Sequence, residues 1–238
     1  MNYLYVCILA IFSFNCGATS LVIKSSFSNE NSTYAFFDKQ ISLTQAKDFP
    51  SLETKRWSYE FRLESSEGKY EEVETCEALT KKIKNGYQAF RYSEQKVVNA
   101  RKLTCETWRI MSKLTSSDVS YLRGFEHNLN LPKKMPPELS LIISKDDERN
   151  LAKANNWEEM SHFKKVEPLN KDQAIYYDNA GGIQSLTVMA KGDYNNDGIE
   201  DMVLDMTNGV EGGSYTSTHG YVVTRLAADA PYTLIKQF

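Results

Sequence analysis

Between Asp193 and Thr224 the chain carries six carboxylates (Asp193, Asp197, Glu200, Asp201, Asp205 and Glu211) and no Lys or Arg. Crowded like charges repel, so a fold that gathers them must either separate them or supply a common positive partner. Residues 192–204 read Gly-Asp-Tyr-Asn-Asn-Asp-Gly-Ile-Glu-Asp-Met-Val-Leu. Asp193, Asn195, Asp197 and Asp201 fall at loop positions 1, 3, 5 and 9, with Gly198 at 6 and Ile199 at 7. A hard cation takes about six to eight oxygens at about 2.3–2.6 Å. Oxygens from alternate residues 1, 3 and 5 can aim at one centre. Gly198 permits the left-handed turn that wraps the loop. Ile199 can offer its backbone carbonyl, and Asp201 closes the shell directly or through water. With oxygen donors throughout, Ca²⁺ is favoured over Mg²⁺, which demands a tighter octahedron. A shell filled by protein oxygens, with no open position, suits a structural ion rather than a catalytic one. The alternative is an ion-free Asn/Asp/Gly hairpin turn.

The loop is not a standard EF-hand. Position 12 is Leu204, where a bidentate Glu belongs, and the flanks Leu186 to Ala190 and Met202 to Met206 look like strands. The segment resembles the calcium loop of FG-GAP/VCBS-type repeats, in which an Asp-x-Asn-x-Asp-Gly-x-x-Asp loop joins two β-strands. The resemblance is confined to residues 192–204 and occurs once. Those families build propellers from several copies, so one copy implies no propeller. Carried over, it implies Asp193, Asn195, Asp197, the Ile199 carbonyl and Asp201 as ligands.

The first 23 residues hold no Lys, Arg, Asp or Glu, and Tyr3 to Phe12 is an unbroken apolar run. A run that short does not span about 30 Å of hydrocarbon as a helix. It matches the apolar core of a secretory signal followed by small residues, with cleavage after Ala18 or Ser20. The stretch before it lacks a basic residue. A buried N-terminal strand, an uncleaved anchor and lipid attachment at Cys16 are the alternatives. Of the four cysteines (Cys7, Cys16, Cys76, Cys105), removal of the signal leaves one pair. An even pair in an oxidising compartment reads as a Cys76–Cys105 disulfide. It would close a loop of 28 intervening residues, worth roughly 3–4 kcal/mol in the chain-entropy description. Two buried free thiols are the other reading. Neither Cys has a second Cys or His at zinc-ligand spacing.

Trp57, Tyr59, Phe61 and Leu63 alternate with polar residues, which predicts a half-buried strand. Cys76, Leu79, Ile83, Tyr87 and Phe90 lie at helical spacing, as do Val97, Ala100, Thr104, Trp108 and Met111 after a capping Ser93. A Cys76–Cys105 bridge would staple these two helices. Ser117 is expected to cap a short helix ending near Gly124. Asn128 to Pro137, with three prolines, is a turn or linker, and Pro137 can open a helix. Ser144 and Asp147 form a capping-box variant ahead of Glu148 to Asn155. From about Lys165 strand texture takes over: Ala174 to Tyr177, Ile183 to Ala190, Met202 to Met206, Gly220 to Leu226 and Tyr232 to Lys236.

The expected fold is therefore α+β: a helical, disulfide-linked middle region followed by a C-terminal antiparallel β-sheet with a calcium-loop hairpin. Residues 1–20 are assigned to the signal peptide, 21–164 to a mixed region with stapled helices, and 165–238 to the β region.

Composition is ordinary for a folded protein, 41% hydrophobic and 25% charged, and the net charge of −3 does not suggest a nucleic-acid partner. Cys76 to Lys113 holds nine basic residues and three acids, a net of +6. That face suits either an anionic partner or plain solvation. There is no His-Glu-x-x-His pair, Gly-x-Ser-x-Gly elbow or phosphate-binding Gly loop. Glu211, Ser214 and His219 have the residue types of a hydrolytic triad but crowd one hairpin-like stretch. No catalytic residue is assigned. The sequence points to an exported, non-enzymatic protein, periplasmic or extracellular, with no transmembrane helix in its mature chain. It would be calcium-stabilised and bind a protein or surface glycan. The alternatives are a periplasmic inhibitor or immunity protein with an acidic blocking surface, and a secreted hydrolase.

Overall fold

The computed structural model describes residues 22–238 except residue 32. The expected signal peptide and the lipid site at Cys16 lie outside the described residues. In chain order the elements are β1 (Ser26–Phe27), α1 (Tyr34–Phe37), α2 (Pro50–Glu53), β2 (Phe61–Glu64), β3 (Tyr70–Val73), α3 (Cys76–Lys84), β4 (Gln88–Ala89) and α4 (Gln95–Met111). After a long irregular stretch come α5 (Lys145–Leu151), α6 (Trp157–Ser161), β5 (Phe163–Pro168), β6 (Gln173–Asp178), β7 (Gly182–Gly192), β8 (Asp201–Val210), β9 (Thr216–Thr224) and β10 (Thr233–Gln237). The fold is α+β.

Strands β5 to β10 form an antiparallel meander in which every sequential pair is also a spatial pair, and β1 adds to the far end of β7. The central strands are buried on both faces, which is why Met202-Val203-Leu204 and Tyr221-Val222-Val223 read as continuous apolar runs rather than alternations. One face packs Met189, Val203 and Val222 against Phe36, Trp57, Trp108 and Met111 of the helical region. The other packs Leu186, Met202, Leu204 and Tyr221 against Leu131, Met135, Leu139 and Trp157. The sheet is thus the middle of three layers, and the helical and β regions share one core.

The helical layer is tied twice. Cys76 and Cys105 form a disulfide with Cα atoms 5.5 Å apart and both residues fully buried, joining the start of α3 to the middle of α4. One turn further on, Arg109 pairs with Glu53 of α2 and donates to Thr80 Oγ1 and the Cys76 carbonyl. Thr75 caps α3 by accepting from the Ala78 amide, and the Ser144–Asp147 capping box is formed at α5.

Five local expectations need correction. The first helix stops at Lys84 and does not carry its stripe to Tyr87 and Phe90. Asn85-Gly86 ends it: Gly86 takes a left-handed φ of 84°, and the amides of Gly86 and Tyr87 bond back to Ile83 and Lys82. In α4 the buried early position is Val98 and not Val97, which is 40% exposed. The C-terminal half of α4 is wedged between the sheet and α2–α3 and buries a wider arc, including Leu103, Thr107 and Ile110. Ser93 is not its cap, because a 3₁₀ turn, Tyr92–Glu94, leads into the helix. The strand expected from Trp57 begins only at Phe61; Trp57 and Ser58 instead donate their amides to the carbonyls of Glu74 and Phe36. Finally, no helix follows Ser117. That segment is extended and bridges Ile23, Asp193 and Ile199.

Candidate metal centre

The acidic loop connects the end of β7 to the start of β8, as the strand-like flanks required. Its backbone folds around Asp193, which is 4% exposed. Asp193 Oδ1 accepts from the amides of Asn196 (2.7 Å) and Asp197 (3.2 Å), and its Oδ2 from Gly198 (2.8 Å). Gly198 at φ 82° and Asn196 at φ 62° supply the left-handed residues that bring those amides inward. Asn195 Oδ1 accepts from the Asp197 amide, and Asn195 Nδ2 donates to Asp197 Oδ2 at 2.9 Å. Asp197 Oδ1 accepts from the Ile199 amide at 2.8 Å. The shared negative charge is therefore met first by backbone N–H dipoles.

Asp201 differs from its neighbours. It is fully buried at the root of β8, and its Oδ2 accepts from the Tyr194 amide at 2.9 Å. Burial pushes this carboxyl up to about 6, the Tyr194 amide and the Thr224 hydroxyl act against that, and the charges of Asp197 and Asp193 add to it.

A second segment, not legible from the loop's own sequence, holds the loop from outside. Thr115 and Asp193 exchange backbone hydrogen bonds, the Gly198 carbonyl accepts from the amides of Asp118 and Val119, and the Val119 carbonyl accepts from Glu200. Glu200, 7% exposed, accepts at 2.5 Å from the Ser120 hydroxyl. Residues 115–120 in turn bridge to Ile23 and follow directly from the end of α4.

The donor set suits a hard cation, with four side chains carrying oxygen donors and the carbonyl of Ile199 within nine residues. Their present arrangement is spread: among the described residues no three His, Cys, Asp or Glu side chains stand together as a ready shell. Asn195 and Asp197 are engaged with each other and with loop amides, so taking up an ion means turning those two exposed side chains inward. Asp193 keeps spare lone pairs beyond the amides it accepts from.

The hydrolytic residue types do not converge. His219 lies within β9 opposite Met206, Glu211 and Ser214 are exposed at the β8–β9 turn, and no hydrogen bond joins the three among the described residues. The basic stretch is partly neutralised by the fold: Lys82 pairs with Glu71, Arg91 with Glu94, Lys102 with Glu106 and Arg109 with Glu53. Among the described residues no helix is long and apolar enough to cross a membrane. No family model, curated protein or solved structure matches the chain.

Proposed function

We propose that this is an exported, non-enzymatic protein that binds another macromolecule in the cell envelope or extracellular space, its sheet stabilised by Ca²⁺ in the 193–201 loop. The observation that carries the ion is Asp201, a fully buried carboxylate met by neutral donors, the Tyr194 amide and the Thr224 hydroxyl, beside two further acids. Such a group is costly to bury unless a positive charge offsets it. Asp193, Asn195, Asp197, Asp201 and the Ile199 carbonyl would hold the ion. When bound it supplies charge neutralisation and a tie between β7 and β8. The residues themselves keep the loop closed through the amides on Asp193 and the clamp from residues 115–120.

The disulfide accords with an oxidising compartment. Of the six clustered acids, Asp193, Glu200 and Asp201 are buried, leaving little acidic surface with which to block a basic cleft. That observation weighs against an inhibitor acting through its acids. The separation of His219 from Ser214 and Glu211 weighs against hydrolysis at that turn.

The test is a calorimetric titration of the disulfide-intact chain with Ca²⁺. Saturable uptake near one ion per chain, lost in the Asp193→Ala/Asp197→Ala variant, is the expected result. No heat, together with no bound metal by elemental analysis, removes the ion from the proposal.

A further inference from the structure

The strands β2, β3 and β4 form a separate small sheet in the order β3-β2-β4. Its inner face buries Leu63 and Val73 in the helical core. Arg62 lies opposite Glu72 and Glu64 opposite Tyr70, placing Arg62, Glu72 and Tyr70 on the outer face. Phe90, just beyond β4, donates its amide to the Arg62 carbonyl and meets Tyr70 edge-on, with ring centroids 5.2 Å apart. The Arg62 guanidinium lies 5.9 Å from the Phe90 centroid.

Arg62, Glu72, Phe90, Arg91 and Glu94 line an open cleft of about 400 Å³, with Phe90 presenting the exposed ring and Phe61 turned toward the core, within the range of roughly 300–1,000 Å³ typical of small-ligand sites. Two ion pairs, Arg62–Glu72 and Arg91–Glu94, line it, and Glu60 leaves one negative charge in excess.

We propose that this cleft is a binding site for a neutral oligosaccharide. This gives a partner class to the binding role proposed above and uses none of the calcium ligands. A sugar ring has an apolar C–H face that covers an aromatic ring, and a belt of hydroxyls that both donate and accept. The cleft offers the matching set: the Phe90 ring for the face, guanidinium donors and carboxylate acceptors for the belt. The slight negative excess disfavours phosphates and acidic glycans. A flat protein surface would strip water from two ion pairs without replacing it group by group, which is unfavourable. Sugar hydroxyls replace that water one for one.

The test is calorimetric titration of the full, disulfide-intact chain with cellohexaose, xylohexaose, maltohexaose and chitohexaose, with hexagalacturonate as the anionic comparison. One or more neutral sugars should bind. Phe90→Ala should weaken that binding about tenfold. Leu169→Ser, an exposed change elsewhere, should leave it unaltered. Melting curves and Ca²⁺ uptake of each variant separate a lost sugar site from a lost fold or a lost ion. Four findings overturn the inference: no neutral sugar bound by chain that melts normally; equal affinity in Phe90→Ala; preference for hexagalacturonate; or self-association abolished by Phe90→Ala, which would assign the face to a second copy of the chain.

Discussion

Thr107 on α4 donates its hydroxyl to Asp205 Oδ1 on β8 at 2.8 Å, pinning the helical layer to the sheet through a carboxyl group. Burial pushes that carboxyl up to about 7 from its ordinary 3.8, and the Thr107 hydrogen bond only partly opposes the rise. Between those two pH values the folded chain keeps a proton that the unfolded chain has released. This group therefore favours folding below about pH 4, and its contribution is lost as pH rises toward 7. Asp205→Asn keeps an acceptor for Thr107 and removes the charge. It should be more stable than the parent at pH 8, by about 1–2 kcal/mol once solvent screening at this half-buried position is allowed for. The gain should vanish by pH 4. Calorimetric melting at both pH values checks it.

His127 has the opposite sign. Its Nδ1 is 2.9 Å from the Tyr176 hydroxyl. Burial lowers its affinity for a proton, a hydrogen bond to the Asp172 backbone and the Asp172 charge act against that, and Lys191 adds to it. The unfolded chain then takes up a proton below about pH 6.5 before the folded chain does, so stability falls as pH falls through that value. His127→Gln should lose less stability than the parent between pH 7 and pH 5, read as the shift in urea midpoint. His219, lowered by burial and by Lys102, keeps part of the effect in both chains.

The disulfide spans 29 positions. Reduction, or Cys76→Ala with Cys105→Ala, should lower unfolding free energy by about 3 kcal/mol. The Arg109–Glu53 tie stays, so the chain should still fold; urea unfolding of oxidised and reduced protein measures the difference.

Gly220 has no room for a side chain. A Cβ there would lie 2.2 Å from the Phe238 ring, and the two residues exchange backbone hydrogen bonds. Gly220→Ala should destabilise by about 1–3 kcal/mol through overpacking. Adding Phe238→Ala should cost less than the sum of the two single changes, because the clash is then gone. A double-mutant cycle in urea reads the coupling directly.

What was legible in the sequence was local or countable. Ser144 and Asp147 lie three residues apart and formed their capping box. Cys76 and Cys105 were the pair left after the N-terminal segment. The turn chemistry of Asp193, Asn195 and Gly198 needs only its own neighbours, and the strand runs around Met202 and Val222 needed only a sheet covered on both faces. What was not legible depends on contacts far along the chain. The Gly198 carbonyl accepts from Asp118 and Val119, residues that local signals assigned to a helix. Val98 displaced Val97 because the start of α4 packs beside β4 and the small sheet while its end packs under the large one. The helix stop at Asn85-Gly86 was present locally, but the stripe of Tyr87 and Phe90 continued past it; Phe90 went to the outer face of the small sheet instead.

The most direct measurement is thermal unfolding of the oxidised chain in excess Ca²⁺ and in EGTA. An ion held by the folded state alone at about 100 times its dissociation constant adds about 2.7 kcal/mol. That should raise the melting temperature by about 5–10 °C in Ca²⁺ and be absent in the Asp193→Ala/Asp197→Ala variant. Superimposable curves in Ca²⁺ and EGTA would contradict a calcium-tied loop.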